Sequence, residues 1–256
     1  MITPTKMLYP LLDHAVTSKE TLWPTYDGKL LDRTQFVSSS SVGKCERQIF
    51  FANDPTLPRG KFPWGFAQRG HGHEAWIVEQ LRSLSCEYTF MFVGDQQRSF
   101  YAGNQSGTPD GLARSSSGDF VLEFKSIDPR TRLSNLPKPE HVMQCVQNMD
   151  LMEQCLDTDV TGALLAYSNA SDFSTTTEFW VERTDPECEI MMDKLAAKAD
   201  RIMSAKTADD LEPEGIYTGG CKQCDFGSIC SATVKRKESE KNRHEQLSKA
   251  SSNIFG

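Results

Sequence analysis

The 256-residue chain has no run of about 18 apolar residues, the length a membrane helix needs, and its opening MITPTKMLYPLLDHAVTSKE lacks the basic start and apolar stretch of a secretory leader. The expectation is a soluble, cytoplasmic protein with no membrane partner. Positive charge is scarce. Lys and Arg number 28 against 35 Asp and Glu, a formal net charge of -7, which argues against a surface that holds nucleic acid by bulk attraction. Contact with nucleic acid would have to be local, at patches such as Arg59, Lys61 and Arg69, the stretch from Lys125 to Lys138, or the tail KRKESEKNRH. A Gly-rich nucleotide loop ending in Lys-Ser or Lys-Thr is also missing, so any unwinding of a duplex would come from a partner.

Cysteine, by contrast, is plentiful at eight residues. Without signs of secretion, these read as thiols or metal ligands rather than a disulfide framework. Three of them, Cys221, Cys224 and Cys230, sit in GCKQCDFGSIC with the spacing C-x2-C-x5-C, which lets a short loop wrap thiolates around a metal or cluster. A closed structural site wants a fourth ligand, from Cys45, Cys86, Cys145, Cys155 or Cys188. Cys145 and Cys155 fit small buried apolar roles on a helix, and Cys86 and Cys188 flank elements without a partner. Cys45, at the start of a helix, is the best remaining donor. Spacing alone does not choose between zinc and an iron-sulfur centre.

Along the chain, residues 1–36 show no clean period and read as an N-terminal arm. In SSSSVGKCERQIFF the serines can cap a helix carrying Val42, Cys45 and Ile49. After a Pro- and Gly-rich loop over 54–65, RGHGHEAWIVEQLRSL places His73, Ile77, Leu81 and Leu84 on one helical stripe, with His71 off it. From Tyr88, the segments YTFMFVG, RSFYAG, GTPDGLAR and GDFVLEFKS read as an antiparallel meander. A helix over about 139–156 has Val142, Val146, Met149 and Leu156 as its core stripe and His141, Gln144 and Asn148 as a polar neighbouring face. Strands VTGALLAYS and TTTEFWVER and a helix over about 186–205 follow, then a charged flexible tail over 233–256. The order predicts an α/β chain of the mixed α+β kind, a mixed central sheet flanked by helices.

The most chemical stretch is GTPDGLARSSSGDFVLEFKS. Alternate side chains of a strand share a face, so Glu123 and Lys125 point one way and Phe124 the other. Asp110, at a strand-turn junction on the preceding arm, can come alongside Glu123. Close carboxylates repel unless a divalent cation sits between them, and hard oxygen ligands suit Mg2+ or Mn2+. Lys125 beside such an ion could orient a water or stabilise the charge that builds up at an attacked phosphate. In isolation the same residues also describe an ordinary surface hairpin with a Glu/Lys pair.

GTPDG followed by LEFKS resembles the core signature of the PD-(D/E)XK nuclease superfamily, and GHGHE upstream with EHVMQCVQNMDLM downstream is similar to its RecB-type branch. The resemblance implies a restriction-endonuclease-like core over residues 37–232, with Asp110, Glu123 and Lys125 catalytic, His73 an additional metal ligand, the carbonyl of Phe124 completing coordination, and Gln144 holding the lysine or the substrate. His71 and Glu74 remain rivals to His73. The branch often carries a tyrosine four residues after the glutamine, where this chain has Asn148.

One cysteine before that core and a triplet after it is similar to the iron-sulfur nucleases, the AddB-type recombination nucleases and the Cas-type exonucleases of CRISPR adaptation. That likeness implies a [4Fe-4S] cluster on Cys45, Cys221, Cys224 and Cys230, a four-cysteine staple closing the fold. The expected function is Mg2+- or Mn2+-dependent cleavage of DNA, as an exonuclease on single-stranded or frayed ends, with a helicase or recombination protein as a possible partner. The competing readings are a cysteine-clamped nucleic-acid-binding adaptor without catalysis and a DNA endonuclease using the same metal site.

Overall fold

The computed structural model describes residues 22–57, 64–215 and 220–235. Residues 1–21 of the expected arm, the Arg59 and Lys61 patch, and the tail from 236 lie outside the described residues. No described helix is long and apolar enough to cross a membrane.

Among the described residues, ten strands and four longer helices carry the fold. The strands are β1 (Leu22–Pro24), β2 (Leu30–Asp32), β3 (Val37–Ser38), β4 (Thr89–Met91), β5 (Phe100–Ala102), β6 (Gln105–Gly107), β7 (Gly111–Ser115), β8 (Gly118–Ile127), β9 (Val160–Asn169) and β10 (Thr175–Glu182). The helices are α1 (Glu46–Asn53), α2 (Trp64–Ser83), α3 (Pro139–Leu156) and α4 (Pro186–Ser204).

The central sheet runs β10-β9-β8-β7-β4. All its pairs are antiparallel except β8 with β9. Parallel neighbours need a crossover, and α3 supplies it. Side-chain alternation along β8 sorts the two faces. Val121 joins the larger core with Val146, Met149 and Leu165, whereas Leu122 and Phe124 join a smaller cluster around Val78 of α2. Helices on both faces of a mixed sheet are the layered architecture expected from the order of elements.

Three details depart from the sequence reading. RSFYAG does not extend the meander: β5 pairs with β6, which pairs in parallel with β3 in a separate three-stranded sheet. GTPDGLAR is therefore two strands, broken at Thr108–Asp110, where Pro109 has no amide hydrogen to give a ladder. The serines before α1 do not cap it either. Ser41 Oγ donates to the Ser38 carbonyl at 2.9 Å, and the N-cap position belongs to Cys45, which makes no side-chain cap bond. Leu84 lies one residue beyond α2 and is 59% exposed, so the inward stripe of that helix ends before it, with His73 and Val78 buried and Ile77 and Leu81 half-buried.

Within the expected arm, residues from Leu22 form the β1-β2 hairpin, and Tyr26 stacks on Phe100 at 5.4 Å between ring centroids.

Candidate active site and cysteine cavity

Strand register builds the acidic centre. Gly111 lies opposite Leu122, so one residue further Asp110 comes alongside Glu123. Asp110 Oδ2 accepts the backbone N–H of Phe124 at 2.6 Å, and the Asp110 amide donates to the Leu122 carbonyl at 3.2 Å. Those bonds fix the aspartate at the end of the hairpin arm.

Glu123 is 1% exposed and held on both oxygens. Its Oε1 accepts from Lys125 Nζ and, at 2.7 Å, from Gln144 Nε2; its Oε2 accepts from Asn148 Nδ2 at 3.1 Å. Lys125 Nζ also donates to Gln144 Oε1 at 3.0 Å. Gln144 thus gives through nitrogen to the carboxylate and receives through oxygen from the ammonium, fixing both ends of the Glu-x-Lys pair. Of the helical face that reads as polar, Gln144 is 8% and Asn148 0% exposed and His141 is half-buried; the neighbouring Gln147 is 1% exposed. Gln147 is spent on structure, with Nε2 donating to the carbonyls of Val37 and Ser106 at 3.0 Å each.

A third carboxylate approaches from α2. Gln97 Nε2 donates to Glu74 Oε1 at 2.7 Å and to Asp110 Oδ1 at 3.5 Å, bridging the two acids. Burial and the charge on Asp110 push Glu74 up to about 7, against the pull of Lys125. Asp110 is raised by burial, partly opposed by Lys125 and by the Phe124 amide. Glu123 is pushed up to about 8 by burial and Asp110, although Lys125 and Asn148 favour its charged form. For Lys125, burial works against the charge, but Glu123 and Asp110 outweigh it and raise the pKa. Three carboxylates therefore share one ammonium.

The two histidines of GHGHE part company. His71 is exposed, and its field reaches Asp110. His73 is 1% exposed, its ring meets Phe173 edge-on at 5.0 Å, and its Nε2 is buried with no hydrogen-bond partner. Burial lowers its pKa, leaving a neutral ring. Glu74, the adjacent residue, is the member of that motif bridged to Asp110. Gln97, on the turn before β5, carries no signal in the sequence.

Cys45, Cys221, Cys224 and Cys230 all line one cavity of about 150 Å³, with Phe51 and Gly215 among its walls. The remaining cysteines are elsewhere: Cys86 is exposed, Cys145 and Cys188 are buried in the core, and Cys155 Sγ stands 3.4 Å from the Tyr101 carbonyl oxygen. Burial, with the neighbouring thiols Cys221, Cys45 and Cys230 adding to it, pushes the Cys224 thiol up. A Cβ on Gly215 would stand 3.1 Å from Cys221 Sγ and 3.7 Å from Cys45 Cβ, so glycine leaves room where the ends of the chain meet.

Buried polar contacts bring them there. Arg47 Nε donates to the Leu211 carbonyl at 2.8 Å, and its Nη1 reaches Asp209 at 2.7 Å and Ser231 Oγ at 3.0 Å. Glu46, 1% exposed, accepts from Arg201 Nη2 at 2.6 Å, and its own amide donates to Glu214 Oε2 at 3.1 Å. The start of α1 is thereby tied to residues 209–214, α4 and Ser231. Among the described residues, no group of three or more His, Cys, Asp or Glu side chains is gathered closely enough to hold a single metal ion.

No family model matches the chain, and no curated protein does. Among solved structures it is similar to SSO0001, at 15% identity and a TM-score of 0.52, over 89% of this chain and 98% of that one. That likeness is one of fold. Weaker likenesses are to the alkaline exonuclease LHK-Exo from Laribacter hongkongensis, at 17% identity and a TM-score of 0.44 over 75% of this chain and 96% of that one. The same enzyme in complex with dAMP gives 15% and 0.46 over the same shares.

Proposed function

We propose that the chain is a metal-dependent DNA nuclease of the PD-(D/E)XK kind, trimming single-stranded or frayed ends. The observation that carries this reading is the Lys125 ammonium, shared between Glu123 and Gln144 with Asp110 alongside. A surface Glu/Lys pair has no need of a buried glutamine and asparagine to hold it.

The donor set fits a divalent cation on charge: burial pushes Glu74, Asp110 and Glu123 all toward protonation, and Asp110 adds to it at Glu74 and Glu123, a strain that a hard cation relieves. Asp110 and Glu123 would hold Mg2+ or Mn2+, with the Phe124 carbonyl and either Glu74 or His73 completing the set. When bound, the ion supplies a Lewis acid for the attacked phosphate. Lys125 stabilises the negative charge that develops on the phosphate oxygens. Gln144 keeps the ammonium directed there. Glu74, with Oε1 engaged by Gln97, would orient an attacking water where it is not itself a ligand. Frayed ends require strand separation, so a helicase or recombination protein is the fitting partner.

The cysteine cavity would hold a [4Fe-4S] cluster, with zinc the alternative occupant, since both accept four thiolates. Its contribution is to folding, joining α1 to the C-terminal segment.

The test uses end-labelled linear and circular single-stranded DNA with Mn2+. Loss of label from linear substrate with circles left intact supports the exonuclease. Cutting of circles points to an endonuclease, and binding without cleavage points to an adaptor.

A further inference from the structure

Buried Tyr167 and half-buried His141, beside the acidic centre, have no role in the mechanism above. Tyr167 of β9 lies in register with Lys125 of β8, so the two side chains leave neighbouring positions on the same face of the sheet, under α3. Tyr167 is 0% exposed. Its hydroxyl oxygen accepts the backbone N–H of Lys138 at 3.1 Å and stands 2.9 Å from Nδ1 of His141. His141 is on the first turn of α3, three residues before Gln144.

These contacts assign the ring's hydrogen. A buried tyrosine hydroxyl must place its own hydrogen on an acceptor. Among the described residues the only acceptor at Tyr167 Oη is His141 Nδ1, since Lys138 N–H donates. Nδ1 therefore carries a lone pair, and the hydrogen of the neutral ring sits on Nε2. Burial, with Lys125 and Lys138 adding to it, holds His141 down to about 3, so the ring stays neutral. The result is a donor with no charge of its own, one helical turn from the Gln144 that holds Lys125.

We propose that His141 presents a fixed Nε2–H donor to a phosphate oxygen of the bound DNA strand, and that Tyr167 is the positioning residue that sets this tautomer. The inference rests on the nuclease reading of the neighbouring site. Donors next to an ammonium suit the non-bridging oxygens of a phosphate, and contacts of this kind set the register of a strand without reading its sequence. A neutral donor adds direction where a second cation would compete with Lys125.

The experiment is 15N–1H NMR of the full chain labelled at histidine, with the His141 signals assigned from His141→Ala. The expected result is the Nε2–H tautomer at neutral pH. A short oligodeoxynucleotide, added with Ca2+ in place of the cleaving ion, should shift its Nε2 signal, and a methylphosphonate oligomer of the same sequence should not. In cleavage assays His141→Ala should raise KM about tenfold with little change in kcat, the signature of lost uniform binding. His141→Gln, which keeps a donor, should recover most of that loss. Tyr167→Phe should lose the tautomer preference.

An Nδ1–H tautomer in the wild-type protein, or an Nε2 signal indifferent to the phosphate oligomer, overturns the inference even if the enzyme cuts DNA. Failure of the wild-type protein to cut DNA overturns the nuclease reading and leaves the tautomer and the oligomer shift to be read independently.

Discussion

Asn148 donates to Glu123 Oε2 at 3.1 Å from a position with no exposure at all. An amide is short enough to reach the carboxylate and fully enclosed while doing so. Among the described residues its own Oδ1 is buried without a hydrogen-bond partner. Replacing Asn148 with Ala would strand a buried carboxylate oxygen, at a cost of about 1–3 kcal/mol. Urea denaturation should show that loss, and cleavage should fall because Glu123 is no longer fixed.

Gly107 tests the same contact from the opposite side. A Cβ there would stand 2.2 Å from Asn148 Oδ1 and 3.0 Å from Leu151 Cδ1. Gly107→Ala should destabilise the protein by about 1–3 kcal/mol as the helix is pushed from β6, and thermal unfolding would record it. Pairing it with Asn148→Ala should cost less than the sum of the two single changes, because the closest clash is removed.

The raised carboxylates make a prediction about pH. Burial, with Asp110 adding to it, pushes Glu123 up to about 8 in the folded chain, above its ordinary value when unfolded. A raised carboxyl contributes stability that is fully present below the unfolded pKa and is lost as pH rises through the folded one. The chain without divalent ions should therefore lose stability between about pH 4.5 and 8, by up to about 1.4 kcal/mol per pH unit from this one group. Glu123→Gln should flatten the slope, as should added Mn2+. Urea midpoints measured across this range with and without EDTA would decide it; a stability that rises with pH in EDTA would contradict the burial argument.

How much of this was legible in the sequence follows from which contacts are local. Asp110, Glu123 and Lys125 could be placed together because strand alternation and one hairpin fix their relation. Gln144 could be placed with them only through resemblance, since nothing in a helical period says which polar face turns inward. Glu74 was a rival within GHGHE, and its approach to Asp110 depends on Gln97, a residue from another segment with no motif of its own. The diversion of β5 and β6 into a second sheet was hidden for the same reason: it depends on pairing with β3, about seventy residues upstream. Cys45 emerged by elimination, and the structure brings it to the cavity of the late triplet through Arg47 and Glu46, whose long-range bonds leave no local pattern.

The cysteine cavity should respond to loss of one thiol as a structural element does. Cys224→Ala is expected to reduce soluble yield and thermal stability more than it alters the cleavage rate of the protein that remains folded. Visible absorption of protein purified without oxygen distinguishes the occupant: a broad band belongs to iron and sulfur, whereas zinc is colourless. Arg47→Ala should weaken retention of that group under a chelator, because it frees the Leu211 carbonyl and unties Ser231 beside Cys230.

The claim at the centre of the account is that Asp110, Glu123 and Lys125 form one phosphodiester-cleaving unit. The most direct measurement is the single-turnover rate on labelled single-stranded DNA with Mn2+ for the wild-type chain, Asp110→Asn and Lys125→Met, each confirmed folded by its far-ultraviolet circular dichroism. The account expects cleavage by the wild type and a loss of at least about a hundredfold in each variant. Folded variants that cut as fast as the wild type would contradict it.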